Sequence, residues 1–501
     1  TEYGRLLRNG ENYYSRLQEE SMINPRIIFL ILLTGLVTCA GDLTNSNNRD
    51  IIIQDFEESN IVVSDTDYEN SDTFDRIAKN NSLSEPYSLV VNGQDVKVKI
   101  YSFKPYDSLN TVTFKYCDLI NRAIAYKEKN PETEVQIKFA IYKLERLLYI
   151  GFNPKHDSYG KVRGYDHAEE NSEKLILSLI KAAKLKIYTR LIYHNPADDL
   201  GIVNYFQVYM NDLCFESESE YVRDYFSYKK VSWIEGTTYG QHHNKFLLIN
   251  YHSGGVTDYS NNIYISTANV DPHDDYGRPT GREWVQSGIL ISGNSGLYEA
   301  YENYFEKIWN NHTNRSAFWN AVRYEGEYNH QSESLNYTDD VFSVYFFPIP
   351  TTFYESSWDT IYNPVAKLVN RIKNHEYETE LRINMYHLKT DAFGLRLYNE
   401  LKTINNINIE SAIHKDSRNG AQNLFNELGN LYWAAPTHAK NYIISENKPG
   451  SIVYYSITGS TNAKWDAYSS KSNNQLVIKE IDNHYIHDIF LENFNYASIN
   501  N

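Results

Sequence analysis

His243-Asn244-Lys245-Phe246-Leu247-Leu248-Ile249 and, far downstream, His438-Ala439-Lys440-Asn441-Tyr442-Ile443-Ile444 carry one pattern twice, a His-x-Lys that runs into an apolar strand. Each copy is completed by an asparagine. Thr267-Ala268-Asn269 puts Asn269 26 residues after His243, and Gly459-Ser460-Thr461-Asn462 puts Asn462 24 residues after His438. Residues two apart on a strand share a face. Each His therefore looks into the same cleft as its Lys, while the residue between them looks away, which is the geometry a bound phosphate needs.

With 15 His in the chain, a bare His-x-Lys is expected about once by chance. His387-Leu388-Lys389 is such a case: no apolar strand and no Thr/Ser-x-Asn follow it, and it reads as the end of a core strand. The two full copies differ because their surroundings repeat. Before the first, residues 135–144 (VQIKFAIYKL) alternate as a strand, 172–184 have helical periodicity and 185–193 (LKIYTRLIY) read as the next strand. Before the second, 380–388 (ELRINMYHL) read as a strand, 391–404 as a helix and 407–413 as a strand. Aliphatic strands follow each motif, 288–291 and 476–479, and in the first half Leu297, Tyr301, Phe305, Ile308 and Trp309 then recur at helical spacing. A repeat this long predicts two similar α/β lobes rather than a solenoid.

The paired motifs resemble the signature of the phospholipase D superfamily, His-x-Lys-x4-Asp followed by Gly-Ser-x-x-Asn, over about residues 90–500. The resemblance implies two pseudo-symmetric phospholipase D-like lobes, each a mixed sheet flanked by helices, with both motifs meeting in one shared active site. The expected organisation is an N-terminal extension and signal-like segment over 1–40, an acidic tether over 41–86, a first lobe over 87–340 and a second over 341–501. Two departures stand out. Asn250 and Ser445 occupy the aspartate positions, and the first copy reads Ser266-Thr267-Ala268-Asn269 where Gly-Ser-x-x-Asn is usual. In the family the aspartate supports the motif rather than attacking phosphate, and the tyrosyl-DNA phosphodiesterase branch works without it, so its loss bears on substrate more than on catalysis.

Cleaving a phosphodiester without a metal requires a nucleophile that can carry a phosphoryl group, an acid for the leaving oxygen and fixed cations for the non-bridging oxygens. By resemblance His243 is the nucleophile and His438 the acid and base, though pseudosymmetry leaves the reverse assignment open. Lys245 and Lys440 clamp the phosphate oxygens, and Asn269 and Asn462 add hydrogen bonds. No metal and no other cofactor is expected. A histidine that attacks through one nitrogen needs the proton on the other held by an acceptor. Aligning residues 286–289 with 475–478 nominates Gln286 and Gln475 as these supports, with Glu283 competing in the first lobe and an ordinary polar strand residue the alternative for each.

Residues 271–284 (DPHDDYGRPTGREW) form a polar insertion: either a substrate loop bearing Arg278 and Arg282 or a solvated excursion. His242 reads as structural. Cys39, Cys117 and Cys214 lack metal-ligand spacing, and no His-Glu-x-x-His is present. With 44 Tyr in the chain, a tyrosine is by itself no site signal.

The 501 residues suffice for two domains with substantial cores. The net charge of −16 counts against a nonspecific nucleic-acid binder, unless a basic cleft lies hidden within the acidic whole. Phospholipid or another phosphodiester is thus the expected partner, nucleic acid the alternative, and the enzyme is expected to act as a monomer. A noncatalytic binding protein on the same scaffold is disfavoured by the two intact His/Lys pairs.

Arg26 precedes an apolar run at 27–38 (IIFLILLTGLVT) and then Cys39-Ala40-Gly41. The run is short for a membrane span and suits a secretory signal. Leu36-Val37-Thr38-Cys39 is an imperfect lipobox, and Thr38-Cys39-Ala40 resembles a signal-peptidase site. Residues 1–21, before Met22, are an upstream extension or a fragment boundary. Residues 41–80 carry ten acidic and three basic residues and read as a tether. The protein is therefore expected to be secreted or tethered to a membrane surface. Export explains the sequons at Asn80, Asn311, Asn314 and Asn336, as does the Asn-rich composition, and they matter only in a eukaryotic source; in an oxidising compartment Cys117 and Cys214, which remain after signal removal, are able to pair.

Overall fold

The computed structural model describes residues 87–103, 111–144, 175–176, 178–194, 220–233, 241–252, 261–270, 285–322, 337–348, 363–415, 417, 420–433 and 435–499. The expected signal segment and tether, Glu283, Arg278, Arg282 and Cys214 lie outside them. Among the described residues no helix is long and apolar enough to cross a membrane.

The first lobe contributes strands β1 (Tyr87–Val91), β2 (Gln94–Phe103), β3 (Glu134–Ile141), β4 (Tyr188–Tyr193), β5 (Phe226–Lys230), β6 (Lys245–His252), β7 (Asn261–Ser266) and β8 (Gln286–Ser292). The second contributes β9 (Tyr337–Thr338), β10 (Phe342–Phe347), β11 (Glu378–Met385), β12 (Ile407–Ile413), β13 (Asn430–Trp433), β14 (Lys440–Lys448), β15 (Ser451–Gly459) and β16 (Asn473–Ile481). Their orders are β1-β2-β8-β7-β6-β3-β4-β5 and β9-β10-β16-β15-β14-β11-β12-β13. Strand for strand these are the same eight-stranded mixed sheet. In each, the three strands at one edge run parallel, β3-β4-β5 and β11-β12-β13, and the other pairings are antiparallel. Because β9 starts at Tyr337, the second sheet begins slightly ahead of the expected boundary at 341.

Alternation along the strands sorts the side chains into three cores. Phe246, Leu248, Ile263, Ile265, Ile289 and Ile291 face a core shared with Ile443, Leu476 and Ile478 of the second lobe. Their odd-even partners Leu247, Ile249, Tyr264 and Leu290 face a core belonging to the first lobe alone. Tyr442, Ile444 and Val477 do the same in the second lobe. Two helices fill the shared core, α2 (Ser295–Asn310) and α5 (Tyr485–Ile499). Their apolar faces, with Leu297, Tyr301, Tyr304, Phe305 and Ile308 on one and Ile486, Phe490 and Phe494 on the other, touch strands of both sheets. On the outer faces, α1 (Val112–Lys129) covers the first sheet, and α3 (Pro364–Lys373) and α4 (Ala392–Lys402) cover the second.

Local chemistry sets the element ends. Thr111, Asn294, Asn363 and Asp391 cap α1 to α4 by accepting hydrogen bonds from backbone amides in the first turn. The strand expected over 185–193 starts only at Tyr188, because Lys186 turns into the left-handed region (φ 61°) as the preceding helix ends. The strand expected over 380–388 ends at Met385, and the helix expected over 391–404 runs from Ala392 to Lys402.

Candidate active site

The two His-x-Lys motifs sit at the seam between the lobes, and the seam has two matching halves. Ser472, the residue before β16, donates its amide to Gln241 O at 3.0 Å and accepts from His243 N at 2.8 Å. Val285, the residue before β8, donates to Pro436 O at 2.7 Å and accepts from His438 N at 3.0 Å. Each motif is therefore stitched at its start to the other lobe. The residues expected to look away from the cleft complete the seam. Asn244 Nδ2 donates to Ser472 Oγ at 2.5 Å, Asn474 Nδ2 donates to Asn244 Oδ1 at 2.8 Å, and His242 lies fully buried beside Ser472.

This docking gathers His243, Lys245, Asn269, His438, Lys440 and Asn462, all of them buried, with the two histidines 9% and 5% exposed. Lys245 Nζ donates to His243 O at 2.9 Å; Lys440 Nζ donates to His438 O at 2.6 Å and reaches across to Thr267 O at 3.2 Å. Asn462 Oδ1 accepts from His387 N at 3.3 Å. Burial is the main cause that pulls both imidazoles well below their usual range. Lys245 and Lys440 add to it on each of them, and Lys471 and Lys464 on His243. That each histidine feels both motif lysines makes this one site. The fold is the pair of similar α/β lobes that the repeated motifs implied.

Neither a family model nor a curated protein matches the sequence. Solved structures do. Polyphosphate kinase from Porphyromonas gingivalis matches with a TM-score of 0.42 and 12% identity, over 79% of this chain and 50% of that one; the present chain thus spans about half the kinase's length. Phosphatidylserine synthase from Haemophilus influenzae Rd KW20 matches at 0.44 and 8% identity, over 85% and 90%. Nuc from Salmonella typhimurium, a phospholipase D family member, matches at 0.22 and 15%, over 32% and 94%. At these scores the likenesses carry no chemistry, and the site is read from its own residues.

The groups that orient the two histidines cross the seam. His243 Nδ1 lies 2.9 Å from Ser460 O and 2.9 Å from Asn473 Oδ1. Asn473 Nδ2 donates to Ala467 O at 2.8 Å, which turns the amide oxygen towards the ring. Two acceptors thus hold the proton on Nδ1 and leave Nε2 with its lone pair. His438 Nδ1 instead faces the Gln286 amide, 3.0 Å from Nε2 and 3.2 Å from Oε1, with Lys440 Nζ at 3.4 Å. The amide can meet either state of the ring: its Nε2 donates to Nδ1 of the neutral imidazole, and its Oε1 accepts from Nδ1 once the ring is the imidazolium that a general acid must be. A hydroxyl donates to each amide oxygen, Thr267 to Gln286 at 2.9 Å and Ser460 to Asn473 at 3.0 Å.

Gln286, nominated for the first lobe, therefore serves the second-lobe histidine. Gln475 is out of register. Ser266 pairs with Gly288 and Gly459 with Gln475, so Asn473 is the true counterpart of Gln286. The sequence alignment matched Gln to Gln and slipped by two residues, which preserves strand alternation and so leaves the hydrophobic pattern intact. Gln475 Nε2 instead meets Tyr468 OH at 3.3 Å. The Gly-to-Ser departure in the first copy has a local reason too. A Cβ on Gly459 (φ 142°) would sit 2.4 Å from Asn474 O, whereas Ser266 has room and its Oγ accepts from Ala268 N at 2.9 Å. Asn250 sits well along β6 and bonds Asn261 on β7, so the aspartate position serves strand pairing here.

Several site residues went unrecognised in the sequence. Tyr142 packs at a tilt against His243 with ring centroids 4.7 Å apart, and Tyr386 packs edge-on against His438 at 4.3 Å. Lys245 and Lys440 lie over the same two rings, at 5.1 and 5.6 Å. Behind these tyrosines stand His194 and His414, at 5.6 and 4.8 Å. The signal was available: Tyr142 follows β3 as Tyr386 follows β11, and His194 follows β4 as His414 follows β12. His387, beside Tyr386, is also part of the site's rim, although its motif is not a third copy. Among the described residues no group of three or more His, Cys, Asp or Glu side chains is gathered as a metal centre.

Proposed function

We propose that this protein hydrolyses phosphodiesters through a phosphohistidine on His243, without a metal. The observation that supports the assignment most strongly is the pair of acceptors on His243 Nδ1. With that proton held, Nε2 attacks phosphorus. The bond to the leaving oxygen breaks as His438, protonated to imidazolium when the anionic substrate binds, gives its Nε2 proton to that oxygen, and Lys245, Lys440, Asn269 and Asn462 meet the charge on the other oxygens. His438, now neutral, takes a proton from water as that water displaces His243. Before substrate arrives, burial and lysines keep both histidines neutral. A bound phosphodiester anion offsets the lysines and raises His438 towards its acid role.

Phospholipid is the substrate class in this reading, with the enzyme exported or membrane-tethered through the apolar run at 27–38. Cell fractionation of chains with and without residues 1–40 tests the location; equal release of both contradicts it. A nuclease or DNA-end phosphodiesterase is the second reading. It is favoured by the lysines felt by the site's histidines, Lys230, Lys245, Lys389, Lys440, Lys464 and Lys471, which make a basic site in an acidic protein. Parallel assays on phosphatidylcholine, circular plasmid and single-stranded oligonucleotide, all with chelator, decide between them. Turnover of one class that survives chelation supports the corresponding reading; turnover that requires a cation contradicts the mechanism.

A further inference from the structure

Each of the two helices that fill the shared core carries a fully buried polar group on its apolar face. On α2 it is the hydroxyl of Tyr304, among Tyr301, Phe305 and Ile308; on α5 it is the amide of Asn493, among Phe490, Phe494 and Ala497. A buried polar group is costly unless it is bonded. Both groups reach the equivalent place in the two sheets. Tyr304 OH lies 3.1 Å from Asn473 O, and Asn493 Nδ2 donates to Gln286 O at 3.0 Å. Asn473 and Gln286 are the first residues of β16 and β8, and theirs are the side chains that face the histidines.

The remaining bonds tie the same residues to the neighbouring strand. Tyr304 OH is 2.7 Å from Phe347 O at the end of β10, which pairs with β16, and Asn493 Nδ2 also donates to Ser102 Oγ at 3.0 Å in β2, which pairs with β8. Carbonyl oxygens only accept, so the phenol proton is shared between Phe347 O and Asn473 O, while Ser472 Oγ at 2.8 Å is able to donate to the phenol. Burial pushes the phenol above its usual range, which keeps that proton on oxygen. Asn493 uses both amide protons, and its Oδ1 accepts from Asn384 Nδ2 at 3.0 Å.

The path crosses the seam twice. Tyr304 of the first lobe holds Asn473 of the second, whose Oδ1 is 2.9 Å from Nδ1 of His243 in the first. Asn493 of the second lobe holds Gln286 of the first, whose amide faces His438 of the second. An amide on so short a side chain follows its backbone, and hydrogen-bond strength falls steeply with misalignment. We propose that Tyr304 and Asn493 are positioning residues, Tyr304 for His243 and Asn493 for His438, each fixing the backbone from which the orienting amide reaches the ring. This rests on the reading in which His243 attacks and His438 protonates the leaving oxygen, and it gives each step its own helix.

Kinetics on two esters and nitrogen NMR with labelled histidine, both on the full chain, test it. The esters are bis(p-nitrophenyl) phosphate, which needs no acid, and whichever of phosphatidylcholine and single-stranded oligonucleotide the native protein turns over, since both expel an alkoxide. Tyr304→Phe removes one oxygen and should lower kcat on both esters by about tenfold with KM unchanged, as loss of a buried hydrogen bond implies. In the same variant the His243 ring should change from a single Nδ1-protonated form to a mixture. Tyr301→Phe removes a phenol one turn away, equally buried, that bonds the Asn474 side chain at 3.2 Å. It should leave the tautomer unchanged and the rates within about twofold of native. Asn493→Leu should cost about tenfold on the alkyl ester and less than about twofold on the nitrophenyl ester. That ratio is read within one preparation, so a loss of folded protein does not alter it. Equal losses in the two tyrosine variants, an unchanged His243 tautomer in Tyr304→Phe, or equal losses on both esters in Asn493→Leu would overturn the assignment. If the native protein turns over neither ester, the phosphodiesterase reading fails, and the NMR comparison still decides whether Tyr304 sets the tautomer of His243.

Discussion

The two halves of the site share a backbone and differ in what faces the imidazole. In one half, His243 Nδ1 meets a carbonyl and an amide oxygen, both acceptors. In the other, His438 Nδ1 meets the whole edge of the Gln286 amide and a lysine ammonium. A duplicated lobe offers two equivalent histidines, and the side chain at one register position, Asn473 in β16 or Gln286 in β8, makes them inequivalent. Asparagine is one methylene shorter, so Ser460 O can share the ring proton. Glutamine reaches far enough to present both of its atoms. In the proposed mechanism, the division between nucleophile and acid is set by the orienting groups rather than by the motifs.

The sharpest way to break this comparison is to remove each histidine in turn. His243→Asn should lower turnover by at least about 10³-fold on any phosphodiester, since no nucleophile remains. His438→Asn should lose about 10²-fold or more on an alkyl ester and far less on a nitrophenyl ester, which leaves without an acid. Equal losses on both esters in both variants would erase the proposed asymmetry. Substituting the orienting groups should have intermediate effects. Asn473→Leu should reduce kcat by about 10²-fold with little change in KM, because the attacking tautomer is no longer fixed. Gln286→Met should matter mainly for poor leaving groups, and steady-state kinetics on paired esters reads the difference.

The pH profile sharpens the same contrast. His243 must be neutral to attack, and its pKa lies well below the usual imidazole range. The acid limb of kcat/KM should therefore fall well below pH 6.5, with activity lost as pH drops through it. The smallest effect concerns the seam. Asn244 bonds Ser472 and Asn474, whereas its counterpart Ala439 has no side chain to do so. Asn244→Ala should cost about 1–3 kcal/mol in a denaturant melt, from the buried partners it strands, without moving the acid limb.

The period-two pattern of the apolar strands was enough to read the middle of each sheet, β3, β4, β6 and β8 and their counterparts β11, β12, β14 and β16, because alternation is dictated by which face is buried, whereas β1, β2, β5, β9, β10 and β13 were not read from it. The motif histidines, lysines and asparagines stood out for a related reason: a doubled pattern with doubled flanks is hard to obtain by chance. Asn473 was missed because the orienting position tolerates Asn or Gln, and the alignment favoured identity over register. Tyr142, Tyr386, His194 and His414 were legible only as a second layer of the repeat, one residue past each strand end. The strand end at Lys186 depended on a left-handed residue that propensity does not reveal.

The central claim is that attack comes from Nε2 of His243 because its Nδ1 proton is held across the seam. Phosphorus NMR and peptide mapping of the His438→Asn variant, after reaction with a nitrophenyl phosphodiester, test it directly. The account predicts an acid-labile, base-stable adduct on His243, attached through Nε2. An adduct on His438 in the reciprocal His243→Asn variant, attachment through Nδ1, or turnover with no histidine adduct in either protein would contradict it.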